Sequence, residues 1–308
     1  MALLTISGDA ASRWEEVARG AARTLEFELV TEARLSQWMT EEFGEAAIPA
    51  RMWRAAAVTV LARLSKEHHL AIAVEASEML FPAMGQVLRA RVTAPVAQRV
   101  GNLMLDERLE KPQALEGLRE LDAEAKRLRK ARYGRTALDP GIFDITVSAA
   151  HAQAAEMLAA AVARGFGAPE LLGAAADELQ FRTRLELAQH GIAPAERAQV
   201  KRAKFGHPSE EVFANLLDFY RIEWQHEPRT FPLQWDKHGQ PTKAFTPDFY
   251  LPEFDLYIEL TTMKQSLVSH KNRKVAMLRA IYPHINIQVF YQKDFQDLIF
   301  RHGSRLAG

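Results

Sequence analysis

Cysteine is absent from the 308 residues, which excludes disulfides, thiolate zinc sites, iron–sulfur clusters and cysteine nucleophiles together. That absence fits a reducing compartment, and the cytoplasm is the expected location. Net charge is absent too. Thirty-nine Lys and Arg stand against 39 Asp and Glu, which argues against a chain-wide coat for nucleic acid or membrane but leaves room for local patches. No run approaches the ~18 uninterrupted apolar residues of a membrane span. The greasiest stretch, 149–162, carries His151, Gln153 and Glu156 at helical intervals and predicts an amphipathic helix. The opening MALLTISGD lacks the basic leader and long apolar run of a signal peptide. No membrane partner is expected.

What is present is ordinary for a globular chain: 48% hydrophobic and 25% charged residues, enough apolar surface to fold. At ~150 residues per domain the length suggests two domains. Residues 1–165 alternate strand patterns (3–7, 28–31, 70–74, 88–93, 143–148) with helical ones (12–25, 50–69, a charged helix pair over 111–132). This is the signature of a parallel sheet with crossovers, an α/β fold. A helix over 169–190 and the basic run Arg197, Lys201, Arg202 and Lys204 read as a connector, 166–205. Residues 206–304 then run helix (from Ser209), strand (222–227), a hairpin tip at 235–239, strands at 245–251 and 256–262, helix (268–281) and strand (285–291), a mixed sheet.

Two carboxylates stand out in that second segment. Asp248 in Thr-Pro-Asp-Phe-Tyr and Glu259 in Tyr-Ile-Glu-Leu-Thr sit in apolar strands, where an unpaired charge costs several kcal/mol. Placed on neighbouring strands, they can converge on one hard divalent cation such as Mg²⁺, which takes one or two carboxylates plus water and phosphate. No acidic residue lies between Glu259 and Asp294, whereas Lys264, Lys271, Arg273, Lys274, Arg279 and Lys293 do. Such a stretch suits a phosphate-bearing, nucleic-acid partner, with Lys271, Arg273 and Lys274 as its contacts. The six histidines of this segment show no metal-ligand spacing and read as core or surface residues. Trp224, Trp235, Phe249, Tyr250 and Tyr257 read as packing.

Pro247-Asp248, the ten-residue spacer, Glu259 and the surrounding element order together resemble the PD-(D/E)xK nuclease superfamily over roughly residues 206–303. The resemblance implies an endonuclease or exonuclease using Mg²⁺ or Mn²⁺. Asp248 and Glu259 would be metal ligands, the Leu260 carbonyl would complete the shell, and Glu210 or Glu211 would be the accessory acid. One position departs: the family's lysine, two residues after the glutamate, is Thr261 here, and a hydroxyl cannot stabilise developing negative charge as an ammonium does. Lys264 is the expected substitute, with Lys271 or Lys274 behind it.

The N-terminal segment resembles the cytidylate-kinase-like family of P-loop nucleoside monophosphate kinases. The residues that carry this are Ile6-Ser7 before a loop, Arg91-Val92, Ala94-Pro95, Arg99-Val100, Asp122, Tyr133-Gly134 and the run 143–148. A phosphate loop needs glycines so that backbone N–H groups can wrap the phosphates. Only Gly8 remains, and Arg13-Trp14 replaces the rest. The expectation is a degenerate P-loop kinase-like domain serving as scaffold, homodimerisation unit or altered nucleotide sensor, with Gly8, Ser12 and Arg13 the residues left to touch a nucleotide. The alternatives are a nucleotide kinase with an accessory C-terminal domain, or a non-catalytic nucleic-acid-binding protein.

Overall fold

The computed structural model describes residues 2–45, 48–81, 87–165, 171–195, 204–261, 265–291 and 294–302. The chain divides into two compact units, Met1–Thr183 and Arg184–Gly308.

The first unit is built on a five-stranded, all-parallel sheet in the order β2-β3-β1-β4-β5. Its strands are β1 (Leu3–Gly8), β2 (Glu28–Thr31), β3 (Leu70–Ala73), β4 (Val87–Thr93) and β5 (Ile145–Ser148). The helices are α1 (Trp14–Leu25), α2 (Glu32–Phe43), α3 (Trp53–Leu64), α4 (Val96–Asp106), α5 (Lys111–Tyr133) and α6 (Ala154–Gly165). The boundary between the units falls within α7 (Leu171–Gln189). β1 and β3 are buried almost throughout, as parallel strands covered on both faces must be. One core cluster joins Leu4 and Ile6 of β1 to Ala18 and Ala22 of α1 and Leu158 and Val162 of α6.

Several elements differ from the sequence expectation. Residues 111–132 form one helix, not a pair, with Gly134 in a left-handed conformation at its end. Of its 23 residues only Ala114, Leu118 and Arg129 are buried, so no apolar stripe announces its continuity. α3 starts after a 3₁₀ turn and stops at Leu64, short of His69. α2 had no counterpart in the pattern reading, although Thr31 caps it by accepting the Arg34 N–H and Leu35, Met39 and Phe43 fall on one face.

The second unit carries a mixed four-stranded sheet, order β11-β10-β9-β6, and a separate hairpin of β7 and β8. Its strands are β6 (Gln225–His226), β7 (Phe231–Trp235), β8 (Pro241–Phe245), β9 (Phe249–Leu251), β10 (Leu256–Leu260) and β11 (Ile287–Phe290). The helices are α8 (Pro208–Phe219), α9 (Gln265–Ile281) and α10 (Phe295–His302). β6 is shorter than the expected 222–227 because Arg221 and Glu227 adopt left-handed conformations on either side of it. The cap of α8 is His207, whose ring accepts the Ser209 N–H; Ser209 itself lies inside the helix.

Candidate functional site

In the first unit the phosphate-loop position is the junction between β1 and α1. Counting the pattern G-x-x-x-x-G-K-[ST] from Gly8 puts Arg13 on its second glycine, Trp14 on the lysine and Glu15 on the hydroxyl residue. The backbone keeps left-handed turns at Ala11 and Arg13, both at φ 58°, without the glycines that make such turns easy. A Cβ on Gly8 would fall on the Trp14 side chain, which is 5% exposed. The indole therefore occupies the close approach that glycine would leave to a phosphate.

Cations around this junction are already matched by carboxylates of the same chain. Arg13 pairs with Asp106, Arg99 with Asp122, Arg129 with Glu78, Arg132 with Glu32 and Arg91 with Asp9. Loop carbonyls are taken as well: Ala10 accepts Arg99 Nε at 2.7 Å and Ala11 accepts Asn102 Nδ2 at 2.9 Å. Glu78 is 1% exposed, and its second oxygen accepts the Ser7 hydroxyl at 2.8 Å, tying the end of β1 to α5. A cavity of about 460 Å³ beside Trp14 is lined by Glu15, Glu32 and Glu75 as well as Arg19 and Arg132. Burial pushes the Glu75 carboxyl up to about 7, against the lowering pull of Arg129. Of the residues expected to touch a nucleotide, Gly8 is covered by Trp14 and Arg13 is engaged by Asp106, while Ser12 Oγ is buried without a hydrogen-bond partner.

In the second unit, β9 and β10 pair antiparallel, with Ile258 opposite Phe249. One step further along each strand come Glu259 and Asp248. Asp248 sits at the bend just before β9, not within the strand, and its Oδ2 accepts the Leu260 N–H at 2.7 Å. Glu259 lies within β10, between β9 and the parallel β11, and is 3% exposed. Lys271, from α9, closes the group. Its Nζ stands 2.7 Å from Glu259 Oε1 and 3.6 Å from Asp248 Oδ2, and donates to the Leu260 carbonyl at 2.6 Å.

The electrostatics follow from crowding two acids in a buried place. Burial, and then the Asp248 charge, push the Glu259 carboxyl up to about 7. Burial raises Asp248 too, resisted by Lys271 and the Leu260 N–H. Burial alone would lower the Lys271 amine, but its hydrogen bond to Glu259 and the charges of both carboxylates outweigh this and hold it above the ordinary lysine value.

Glu210, in the first turn of α8, adds a third negative charge felt at Asp248. Its Oε2 accepts the Gly206 N–H and faces His226 Nε2, each at 3.0 Å, whereas Glu211 is exposed. Of the lysines weighed as substitutes for the family's own, Lys271 reaches both carboxylates and Lys274 lies over the Phe245 ring. Lys264 falls outside the described residues. Arg273 is exposed, and Thr261 is buried at the end of β10, its N–H bonded to the Phe290 carbonyl at 2.9 Å.

One participant, His226, escapes the sequence reading, and Lys271 enters it only as a fallback to Lys264. His226 pairs with Glu210 and packs on Phe205 and Phe249, so it is neither plain core nor plain surface. Lys271 shares the i, i+4, i+7 face of α9 with the buried Val275 and Leu278. A lysine on an apolar stripe was the available signal. Trp224 is packed as expected and donates to Asp218 at 2.8 Å, but Trp235 is 46% exposed.

No protein-family model matches the chain, nor does any curated protein. Solved structures do. An uncharacterized protein from Eubacterium ventriosum ATCC 27560 has 15% identity and a TM-score of 0.44, over 53% of this chain and 98% of that one. A shikimate kinase from Acinetobacter baumannii in complex with shikimate has 16% identity and a TM-score of 0.32, over 54% and 96%. A gluconokinase from Sinorhizobium meliloti 1021 has 15% identity and a TM-score of 0.34, over 53% and 92%. These likenesses fall on the N-terminal half. At this similarity no activity carries over.

Proposed function

We propose that the second unit hydrolyses phosphodiester bonds of nucleic acid with the help of Mg²⁺ or Mn²⁺. The observation that carries this reading is the convergence of Asp248, Glu259 and Lys271 on one another, with one oxygen to spare. Glu259 Oε2 is buried and has no hydrogen-bond partner among the described residues, an arrangement that leaves a hard oxygen donor for a cation. Two carboxylates and a neighbouring carbonyl fit Mg²⁺, which keeps several waters and resists an all-protein cage. Among the described residues no three His, Asp or Glu side chains are grouped to hold a metal, so any ion here would rest on two carboxylates, a carbonyl and water.

Asp248, Glu259 and the Leu260 carbonyl would hold the ion. When bound, it supplies Lewis acidity, polarising the phosphate and easing loss of a proton from water. The chain's own contributions are separable. The Leu260 N–H fixes the Asp248 carboxylate in one orientation, and Glu210 adds negative charge behind it. The Lys271 ammonium would stabilise the charge that develops as the water oxygen bonds to phosphorus and the P–O bond to the leaving alcohol breaks. Removing such a charge stabiliser lowers rates by about 10²–10³-fold. Mg²⁺- or Mn²⁺-dependent cutting of labelled DNA and RNA, lost in Asp248→Asn and Glu259→Gln, is the expected result. Undiminished cutting by both variants would sink the reading.

A second reading, phosphoryl transfer by the first unit, has the parallel β2-β3-β1-β4-β5 sheet and the loop–helix junction after β1 in its favour. Against it stand Trp14 over Gly8, a tryptophan where the loop's lysine belongs, and arginines already paired with carboxylates. Calorimetry with ATP and a pyrimidine monophosphate decides it, tight binding of both being the outcome that would reinstate it.

A further inference from the structure

Lys271 is paired with Asp248 and Glu259, but two further lysines of this unit, Lys243 and Lys274, have no carboxylate partner among the described residues, unlike the arginines around Trp14. α9 packs along the β7–β8 hairpin: Val275 and Leu278 share a core with Phe231, Leu233 and Phe245, and the Tyr282 hydroxyl donates to the Pro232 carbonyl at 3.0 Å. Lys274 Nζ lies 5.7 Å from the Phe245 ring, and Lys243 Nζ lies 3.8 Å from Met277 Sδ. Each lays its stem on apolar neighbours and keeps its ammonium unpaired by any carboxylate among the described residues.

Lys274 lies about one helical turn from Lys271, which reaches both carboxylates, and Lys243 reaches Met277, about one turn further along α9. On β8, Lys243 lies two residues beyond Pro241, which pairs with Trp235, so neighbouring elements join Lys271, Lys274, Lys243 and Trp235 in one row.

Trp235 ends that row in an unusual state, 46% exposed on a hairpin whose tip is held rigid. Asp236 Oδ1 accepts the N–H groups of His238 and Gln240 at 2.8 and 2.9 Å, and Gly239 takes a left-handed turn at φ 78°. Lys237 and His238 are exposed beside it. An open indole flanked by cations offers a stacking face and phosphate contacts together.

On the nuclease reading, we propose that the β7–β8 hairpin and the adjoining edge of α9 form a track for single-stranded nucleic acid, with Trp235 stacking on a base and Lys243 and Lys274 holding phosphates on the way to Asp248 and Glu259. A duplex hides its base faces in its own stack, and an acidic peptide has no ring for the indole to cover, so the unpaired strand is the ligand that uses both features.

The test is fluorescence anisotropy of labelled (dT)₁₂ and (rU)₁₂ against the full chain in EDTA, where binding is read without cutting. Trp235→Ala should weaken binding about tenfold or more, and Trp235→Phe should keep most of it. The double variant Lys243→Ala, Lys274→Ala should lower the slope of log affinity against log salt by about 1.4, at ~0.7 per phosphate contact on a single strand. Comparison of the two oligonucleotides identifies the sugar preferred. Absence of binding by the parent protein overturns the proposal. So does parent-like affinity in both variants, or preference for a duplex or a glutamate-rich peptide of equal length. Asp248→Asn separates the two claims: cutting lost with binding kept leaves the track standing, whereas cutting kept in this variant removes the nuclease reading and not the track.

Discussion

Two carboxyl groups carry most of the titration chemistry, one in each unit. Glu75 and Glu259 are both pushed to about 7 from an ordinary 4.5, each chiefly by burial. A carboxyl whose folded value lies above its unfolded value binds more protons when folded, so stability falls as pH rises between the two. Folding stability is therefore predicted to decline from pH 4.5 to about 7 and level off above. Glu259→Gln should flatten its share of that slope, and denaturant unfolding at pH 5 and pH 8 measures both. A steeper slope in the variant would contradict the assignment. Glu78 makes a different prediction. It is buried against Arg129 and holds the Ser7 hydroxyl, so Glu78→Ala leaves the buried guanidinium only its 3.8 Å contact with Glu75 and should cost roughly 3 kcal/mol. Replacing Glu78 and Arg129 together by apolar residues should recover most of this. Trp14 belongs at this scale as well: Trp14→Ala removes a buried indole from the core and should destabilise by about 3–5 kcal/mol, read from the same unfolding curves.

At the scale of elements, what the sequence disclosed depended on how much of each segment is buried. β2 falls where its pattern puts it, and β1 lies within one residue of it, because a short apolar run bounded by polar residues fits a buried strand and little else. The long α5 did not declare itself, because nearly all its side chains face solvent and its charges show no single face. β7 and β8 were visible only through their turn, since much of the hairpin is exposed and polar. The carboxylate pair was legible because charge in an apolar strand is rare enough to notice. Its lysine was named only behind Lys264, because spacing along a strand favours residues near Glu259, whereas the group that arrives comes from the second turn of a helix. His226 likewise pairs with a residue 16 positions away, through a fold that brings α8 beside β6, and no local pattern encodes that. Lys271→Met should preserve α9, whose buried face it would join, but it leaves Asp248 and Glu259 without their ammonium, so the melting temperature should fall more at pH 8 than at pH 5, where these carboxyls take up protons.

For the molecule as a whole, a charge balance of zero conceals two opposite arrangements. The first unit pairs the arginines around its loop with its own acids and fills that loop with an indole, which leaves little for a phosphate to bind. The second unit holds Lys271 on two buried carboxylates and leaves Lys243 and Lys274 without a carboxylate partner among the described residues. ATP should accordingly give no calorimetric signal with the full chain, whereas oligonucleotide affinity should fall steeply with salt. The central claim is that Asp248, Glu259 and the helix-borne Lys271 make one phosphodiester-cleaving group. Single-turnover cleavage of a labelled single strand in Mn²⁺ by the parent protein and by Lys271→Met tests it most directly. The account predicts a folded variant slowed by about 10²–10³-fold. A folded Lys271→Met that cuts at the parent rate, or a parent that does not cut in any divalent cation, would contradict it.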